Sequence, residues 1–404
     1  MLDMLVVGGG YVGLAAAVAV KQAAPHLEVQ VVEAAPAGVW EKDERASAII
    51  AAASQMLDIL GTWDEILPHA QPINRMIVTD SRTSDPVRPV FLTFDGTIQA
   101  GKPFAHMVPN VAMVRALRGA ADRLGVSIRH GLSATGFETT ATHTTVKFSD
   151  GSTEETRLLV ACDGVRSKLR DMAGIRTVNW TYDQSGIVAT VAHERDHEGV
   201  AEEHFLPSGP FAILPLTNNR SSLVWTERTD AAERLMASDD LIFEEELQRR
   251  FGHKLGEIRL VGGRKAYPLS LTLSRAFIAP RFALAGDAAH GIHPISGQGL
   301  NLGFKDVAAL AETVVEADRL GLEIGSLNVL ERYQSWRRFD TFRMGVTTDV
   351  LNRLFSNDVT PIRIARDFGL GVVERLPKIK DFFIGQAAGT TVKDNPKLLR
   401  GRSI

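Results

Sequence analysis

Apolar and polar positions fall into alternating blocks from the first residues onward. Asp3–Val7 is a short apolar run, Gly8–Gly13 is glycine-rich, Leu14–Ala24 is rich in Ala and Val, and Val29–Glu33 is apolar again. A strand, a turn, a helix and a second strand make one βαβ unit. The pattern further predicts a helix over Ser47–Leu60, strands at Arg75–Asp80 and Val90–Phe94 around a Pro-containing turn, and a helix over Met113–Leu124. Val146–Phe148 and Leu158–Ala161, with Asp150-Gly151 between them, read as a hairpin. Short strands then follow one another at Gly186–Val191, His204–Leu206, Phe211–Leu216 and Ser222–Thr226, the habit of an antiparallel sheet. Asp239–Phe251 is a helix, Phe282–Gly286 a strand and Gly299–Ala317 a long helix. Beyond Leu330 the chain is mostly helical, with Pro361 and Pro377 as breaks.

The expected fold class is α/β at its nucleotide-binding core and α+β when taken whole. A Rossmann-like domain is interrupted by an antiparallel β-sheet domain and followed by a helical C-terminal region. The expected boundaries are 1–74, 96–180 and 266–328 for the first, 75–95 and 181–265 for the second, and 329–404 for the third. At 404 residues, 45% hydrophobic and 23% charged, the chain is an ordinary globular protein rather than a disordered or multi-span one. One cysteine, Cys162, excludes an internal disulfide and fits a reducing compartment. The first residues carry no basic n-region of a signal peptide. Net charge is −3, so nothing points to nucleic acid, but from Leu330 to the end the balance is +6 against an acidic body. Such a tail suits an anionic membrane surface, and equally a solvated helix face.

Three motifs carry chemistry. Gly8-Gly9-Gly10-Tyr11-Val12-Gly13 sits between strand and helix, where Gly8 permits the turn, Gly10 lets the backbone approach a pyrophosphate, and Gly13 lets helix pack on strand. Glu33 ends the second strand, where a carboxylate suits the hydroxyls of an adenosine ribose and repels a 2′-phosphate. The motif predicts a dinucleotide without separating FAD from NAD. The second motif, Asp163-Gly164-Val165-Arg166-Ser167-Lys168-Leu169-Arg170, is a sharp turn after a strand with basic residues behind it.

The third motif runs from Phe282 through Gly286-Asp287, His290, His293-Pro294, Gly297-Gln298-Gly299-Leu300-Asn301 and Gly303 to Asp306. Asp287 is a lone carboxylate at a strand end, placed to bind a polyol. Pro294, Gly297 and its glycine neighbours shape a tight loop. The helix beginning near Gly299 offers N–H groups to negative charge on a flat ring, and Asn301 offers a hydrogen bond to the same ring's amide edge. Asp287, His290 and His293 imitate a metal site, but no further ligand is evident, so no metal is expected. His290 and His293 are loop or packing residues before they are catalysts; no certain catalytic side chain is found.

These three motifs in this order resemble those of the single-component, FAD-dependent aromatic hydroxylases, over nearly the whole chain. Within them the chain is similar to the ubiquinone-biosynthesis hydroxylases, through the stretch His293–Asp306, Trp180-x-Tyr182-x-Gln184, Phe205-Leu-Pro207-x-Gly209-Pro210 with Val224-Trp225, Asp43-Glu-Arg45, and the tail with Tyr333, Arg337-Arg338 and Leu354-Phe355. Ser296 and Lys305 stand where the family usually has Ala and Arg. The resemblance implies that the first motif holds the ADP of FAD, the second serves FAD and NAD(P)H, and the third holds the ribityl chain and ring. It brings Arg45, Asn110 and Arg115 to the flavin, and Arg166 and Arg170 to the nicotinamide cofactor or the pyrophosphate.

The activity implied is hydroxylation of the ring of a polyprenyl phenol through a flavin hydroperoxide, with NADH or NADPH and O2 as co-substrates. The sheet domain would roof the ring, with Phe205, Phe211, Leu214, Pro215 and Trp225 against the substrate or, by the plainer reading, in the sheet core. The expected setting is the cytoplasm, with the tail, including Leu351, Leu354, Phe355, Phe382 and Phe383, docking on the inner face of the membrane, and a quinone-biosynthesis complex as a further partner. Two alternatives stay open: a flavin monooxygenase of a soluble phenol, and a non-catalytic subunit of such a complex.

Overall fold

The computed structural model describes residues 1–80, 90–95, 97–99, 102–292, 299–355 and 395–404. Its first sheet is built on the predicted βαβ unit. Leu2–Val7 lies between Val29–Glu33 and Thr153–Ala161, parallel to both, and Ser127–His130 and Phe282–Leu284 extend the parallel order at either side. Thr144–Phe148 and Ala134–Thr139 add an antiparallel edge. The central strands are buried on both faces, which is why their sequence is apolar without alternation. Helix Tyr11–Ala23 is buried from Gly13 to Val20, beneath Asn110–Arg123 and Gly299–Arg319. Its run of alanines favours helix and lets those neighbours come close.

The second sheet has eight strands. Thr177–His193 and Ile258–Ser274 are each 17 residues long and pair along most of their length. Arg220–Arg228, Gly209–Leu216 and Val200–Leu206 follow as antiparallel neighbours. Arg75–Asp80 then joins Val200–Leu206 in parallel, so the sheet is not purely antiparallel. Ile258–Ser274 was not legible in the sequence, because Gly262, Gly263 and Pro268 interrupt its alternation. Two register shifts against Thr177–His193 absorb those interruptions.

Ser47–Leu60, expected as one helix, is instead a strand, Ala46–Ile50, followed by a helix, Ala51–Ile59. The β-branched Ile49 and Ile50 favour extended backbone, and Ala105–Pro109 pairs with the segment. The expected strand Phe282–Gly286 stops at Leu284, since Gly286 takes a left-handed φ of +64° and opens a short 3-10 turn, Gly286–Ala288. Helix Leu327–Phe355 follows the first domain's last helix, and Lys397–Arg400 forms a final turn. The turn at 81–89, Pro361, Pro377, Phe382 and Phe383 lie outside the described residues. No helix among the described residues is long and apolar enough to cross a membrane.

Candidate functional site

The glycine loop divides into crowded and open positions. A Cβ on Gly8, whose φ is +115°, would collide with the Cys162 carbonyl oxygen, and one on Gly13 would collide with the Gly8 carbonyl oxygen. Gly10 has nothing within 4 Å of where its Cβ would stand. It caps helix Tyr11–Ala23 without a side chain, and the first turn holds no acidic residue. The helix therefore offers N–H groups and the positive end of its dipole to open space, where an anion fits.

Val12 faces the other way: Cβ atoms on Gly286 and Gly303 would stand 3.1 and 2.7 Å from its two methyls. Its side chain locks the loop to the Gly286 turn and to helix Gly299–Arg319, while its N–H belongs to the open first turn. Glu33 accepts hydrogen bonds from Gly9 N at 2.6 Å and Ala35 N at 2.8 Å. Each oxygen keeps a further lone pair for a ribose hydroxyl.

Beside this loop stands the Asp163-Gly164 turn. Gly164 has φ +86° and open space about it. Asp163 Oδ1 is buried without a hydrogen-bond partner. Arg166 is exposed. Arg170, expected near a cofactor, is buried and donates to Val165 O at 3.0 Å and Ala288 O at 3.1 Å, so it clamps this turn to the Gly286 turn. Its Nη1 is spent on these carbonyls and its Nε on Asp171 Oδ1 at 3.4 Å, and the expectation is corrected: Arg170 positions the loops. A residue no motif announced lies nearby. Arg118 stands 5.3 Å over the Trp40 ring and donates to His130 Nε2 at 3.1 Å, while its Nε and second amino nitrogen are buried and unpartnered. Burial pulls its pKa down, and Glu33, Asp122 and Glu41 pull it back.

The third cluster gathers Tyr11, Asp43, Arg45, Asn110 and Asp287. Arg45 grips Asp43 with two hydrogen bonds of 2.8 Å. Asn110 Nδ2 donates to Asp43 at 3.2 Å and its Oδ1 accepts from Ser47 at 2.8 Å. Asp43, quoted only as part of a motif, is thus the hub that holds Arg45 and Asn110. Burial pushes its carboxyl up, but the Arg45 bonds outweigh that and hold it below the ordinary range. The same bonds raise the Arg45 guanidinium.

Asp287 is open to solvent yet sits deep in a recess crowded by protein. That loss of water raises its carboxyl, against the pull of His290 and Arg45. Burial and the Asp287 charge push Tyr11 up to about 12. Arg45 also lines a small recess with Glu44, Val188, Lys265 and Tyr267, where the second sheet covers the loop. Arg115 is exposed.

Asn301 does not leave its side chain free for a ring. Its Oδ1 accepts from Ile50 N at 3.2 Å and its Nδ2 donates to Ala48 O at 2.9 Å, tying the start of helix Gly299–Arg319, with Gly299 and Leu300, to the Ala46–Ile50 strand. His290 is fully buried, 2.6 Å from Asp306 Oδ2. Asp306 also accepts from Gly286 N at 2.9 Å and from Arg337 Nε at 2.7 Å. Burial alone would raise the Asp306 carboxyl; His290 and Arg337 overcome it and hold it low. The catalytic reading of His290 is corrected: it has no access to substrate and orders the Gly286 turn. His293, Pro294, Gly297 and Gln298 lie outside the described residues. Among the described residues, no group of three or more side chains is placed to hold a metal.

The five expected substrate residues separate onto two faces of the second sheet. Phe211 and Trp225 are fully buried and pack with Phe243 beneath helices Thr229–Ala237 and Asp240–Phe251. Pro215 alternates onto that same outer face. The structure corrects them to core. Leu214 packs on the inner face with Ala46, Ala48 and Met107, and Phe205 alternates to that face too.

FAD fits what the chain leaves unsatisfied: an uncapped helix N-terminus behind an open Gly10, the unpartnered Asp163 and Arg118 atoms, and the recessed Asp287 carboxyl. Residues 1–338 match the family model of the FAD binding domain. The chain is 43% identical to the ubiquinone hydroxylase UbiL of Rhodospirillum rubrum, over 99% of this chain and 92% of that one. It is 32% identical to the 3-demethoxyubiquinol 3-hydroxylase of Escherichia coli, over 96% of this chain and 98% of that one. The crystal structure of p-nitrophenol 4-monooxygenase from Pseudomonas putida shares the fold with a TM-score of 0.80 at 20% identity, over 97% of this chain and 99% of that one. The site's glycines and carboxylates and these near-full-length matches agree: the chain belongs to the FAD-dependent ubiquinone-biosynthesis hydroxylases.

Proposed function

We propose that this enzyme hydroxylates the aromatic ring of a polyprenyl phenol on the way to ubiquinone. The observation that carries the reading is the 43% identity to a ubiquinone hydroxylase over 99% of the chain. Bound FAD, reduced by NADH or NADPH, supplies the activation of O2. The chain's own residues bind, orient and dry. The N–H groups behind Gly10 hold the pyrophosphate, with Arg118 beside it. Glu33 meets the ribose and Asp287 the ribityl hydroxyls. Asp43 fixes Arg45 at the ring, and Asn301 fixes the helix terminus that faces it. The first sheet, with the loops at its strand ends, is the flavin half; the inner face of the second sheet roofs the ring and excludes water. No nucleophilic side chain is required.

The test is mass spectrometry of quinone intermediates in cells lacking the gene, complemented with wild type or Asp287→Ala. Accumulation of a polyprenyl phenol short of one ring hydroxyl, cleared by wild type alone, is the expected result. A normal quinone pool without the protein overturns it. A substrate with a polyprenyl tail resides in a bilayer, and the +6 balance after Leu330 supports contact between that region and an anionic membrane surface. Deleting the residues after Thr360 is expected to release the protein from anionic vesicles, and unchanged co-sedimentation sinks the idea.

A further inference from the structure

Glu203 belongs to no motif, yet the sheet gives it a defined place. Along Val200–Leu206, Glu202 and His204 turn outward; His204 stands 3.4 Å from Glu202, 2.7 Å from Thr79 Oγ1, and stacks on Phe211. Glu203 alternates to the inner face. Register partners carry that face across the sheet in one row: Lys265, Val188, Val224, Ala212, Glu203, Val78 and Leu92. At one end, Val188 and Lys265 wall the recess that holds Arg45. Val188, Val224 and Ala212 are only half-buried, an apolar strip open to a ligand. Glu203 ends the strip, 8% exposed. With strands about 4.8 Å apart, it lies about 14 Å from Val188 along the row.

Among the described residues, Glu203 makes no hydrogen bond and no ion pair. Glu202, His204 and Lys254 pair on the outer face, while Lys265, Arg45, Glu44 and Tyr267 stand at the far end of the row. Burial pushes the Glu203 carboxyl up to about 8. An unpartnered buried carboxyl costs stability and returns nothing to the fold. Its position at the end of an open apolar strip gives it a partner from outside.

We infer that Glu203 anchors the ring hydroxyl of a phenolic substrate laid along the Val188–Val224–Ala212 strip, accepting its hydrogen bond and, when ionised, its proton. In that transfer the phenol O–H bond breaks, an O–H bond forms on a Glu203 oxygen, and the negative charge passes to the phenolate. The ring becomes richer in electrons and easier to hydroxylate. A proton acceptor whose pKa lies near working pH suits this task. The inference rests on the hydroxylase reading above.

The experiment uses the full FAD-loaded chain with 2-geranylphenol as probe, NADH or NADPH, and O2. Wild type is compared with Glu203→Gln and Glu203→Asp. The expected result is a kcat/KM about 100-fold lower in Glu203→Gln, partly restored in Glu203→Asp. The limb of the wild-type pH profile that rises through about pH 8 is lost in Glu203→Gln. Flavin affinity is unchanged, and equilibrium dialysis shows weaker binding of geranylphenol to Glu203→Gln. An active wild type matched by Glu203→Gln in kcat/KM and pH profile overturns the role of Glu203 alone. A wild type that hydroxylates no geranylphenol overturns the hydroxylase reading and this inference together.

Discussion

Asp306 and Glu203 are both buried carboxyls, and the protein treats them in opposite ways. Asp306 is surrounded by His290, Arg337 and the Gly286 N–H, and its charge is held low in pKa against the cost of burial. Glu203 has Ala212 and Val78 as its register partners, and burial drives it up. The same division runs through the site. Arg170 and Asn301 spend their polar atoms on backbone, and Gly13 is crowded. Arg118 and Asp163 keep buried atoms unspent, and Gly10 is open. Groups satisfied within the chain build the frame. Among the groups left wanting, Arg118 and Asp163 stand beside the glycine loop, where FAD fits.

The largest test removes a partner from the satisfied carboxyl. Arg337→Met leaves Asp306 without its guanidinium partner and is expected to cost about 3–5 kcal/mol in urea unfolding. A loss under about 1 kcal/mol would show that His290 and the Gly286 N–H suffice. The unsatisfied carboxyl predicts the opposite sign. The folded state keeps the Glu203 proton that the unfolded chain releases near its ordinary value of 4.5. Stability therefore falls as pH rises from about 4.5 to about 8 and then levels, by at most about 5 kcal/mol. Glu203→Leu is expected to flatten that part of the curve and raise the melting temperature at pH 8; an unaltered pH dependence would mean that Glu203 finds a partner in solution. Asp306, held low, contributes stability at neutral pH that disappears as pH falls below the carboxylate range.

The smallest effect on the fold separates two glycines of one motif. Gly10→Ala meets nothing in the chain, so the apoprotein melts within about 0.5 kcal/mol of wild type while FAD affinity falls about tenfold or more. Gly13→Ala collides with the Gly8 carbonyl and is expected to lose both stability and flavin. Equal melting temperatures for the two variants, by calorimetry without flavin, would erase the distinction between crowded and open positions.

Local signals were legible wherever the backbone's demands are local. The Gly8–Gly13 turn, the buried parallel strands, and the Asp239 cap that accepts from Ile242 N at 2.9 Å all follow from residue type and spacing. Asn110 and Arg45 were found, but Asp43, which holds them, was not singled out, because its partners lie 2 and 67 residues away. Trp225 and Phe211 look like lining residues in a one-dimensional reading. Only the helices packed over the outer face make them core.

By itself the sequence determined the βαβ unit, the three cofactor motifs in their order, and the family they resemble. Each depends on neighbours along the chain, or on glycines whose missing side chain is visible in the text. The tertiary structure decided which face each strand residue meets and which polar atoms find partners. Ile49 and Ile50 became strand because Ala105–Pro109 was there to pair with them. His290 became structural because Asp306, sixteen residues on, was brought to 2.6 Å. Glu203 was left alone because the register set Ala212 and Val78 beside it. Satisfaction of a buried polar group depends on contacts made across the fold, and such contacts exist only once the chain has closed on itself.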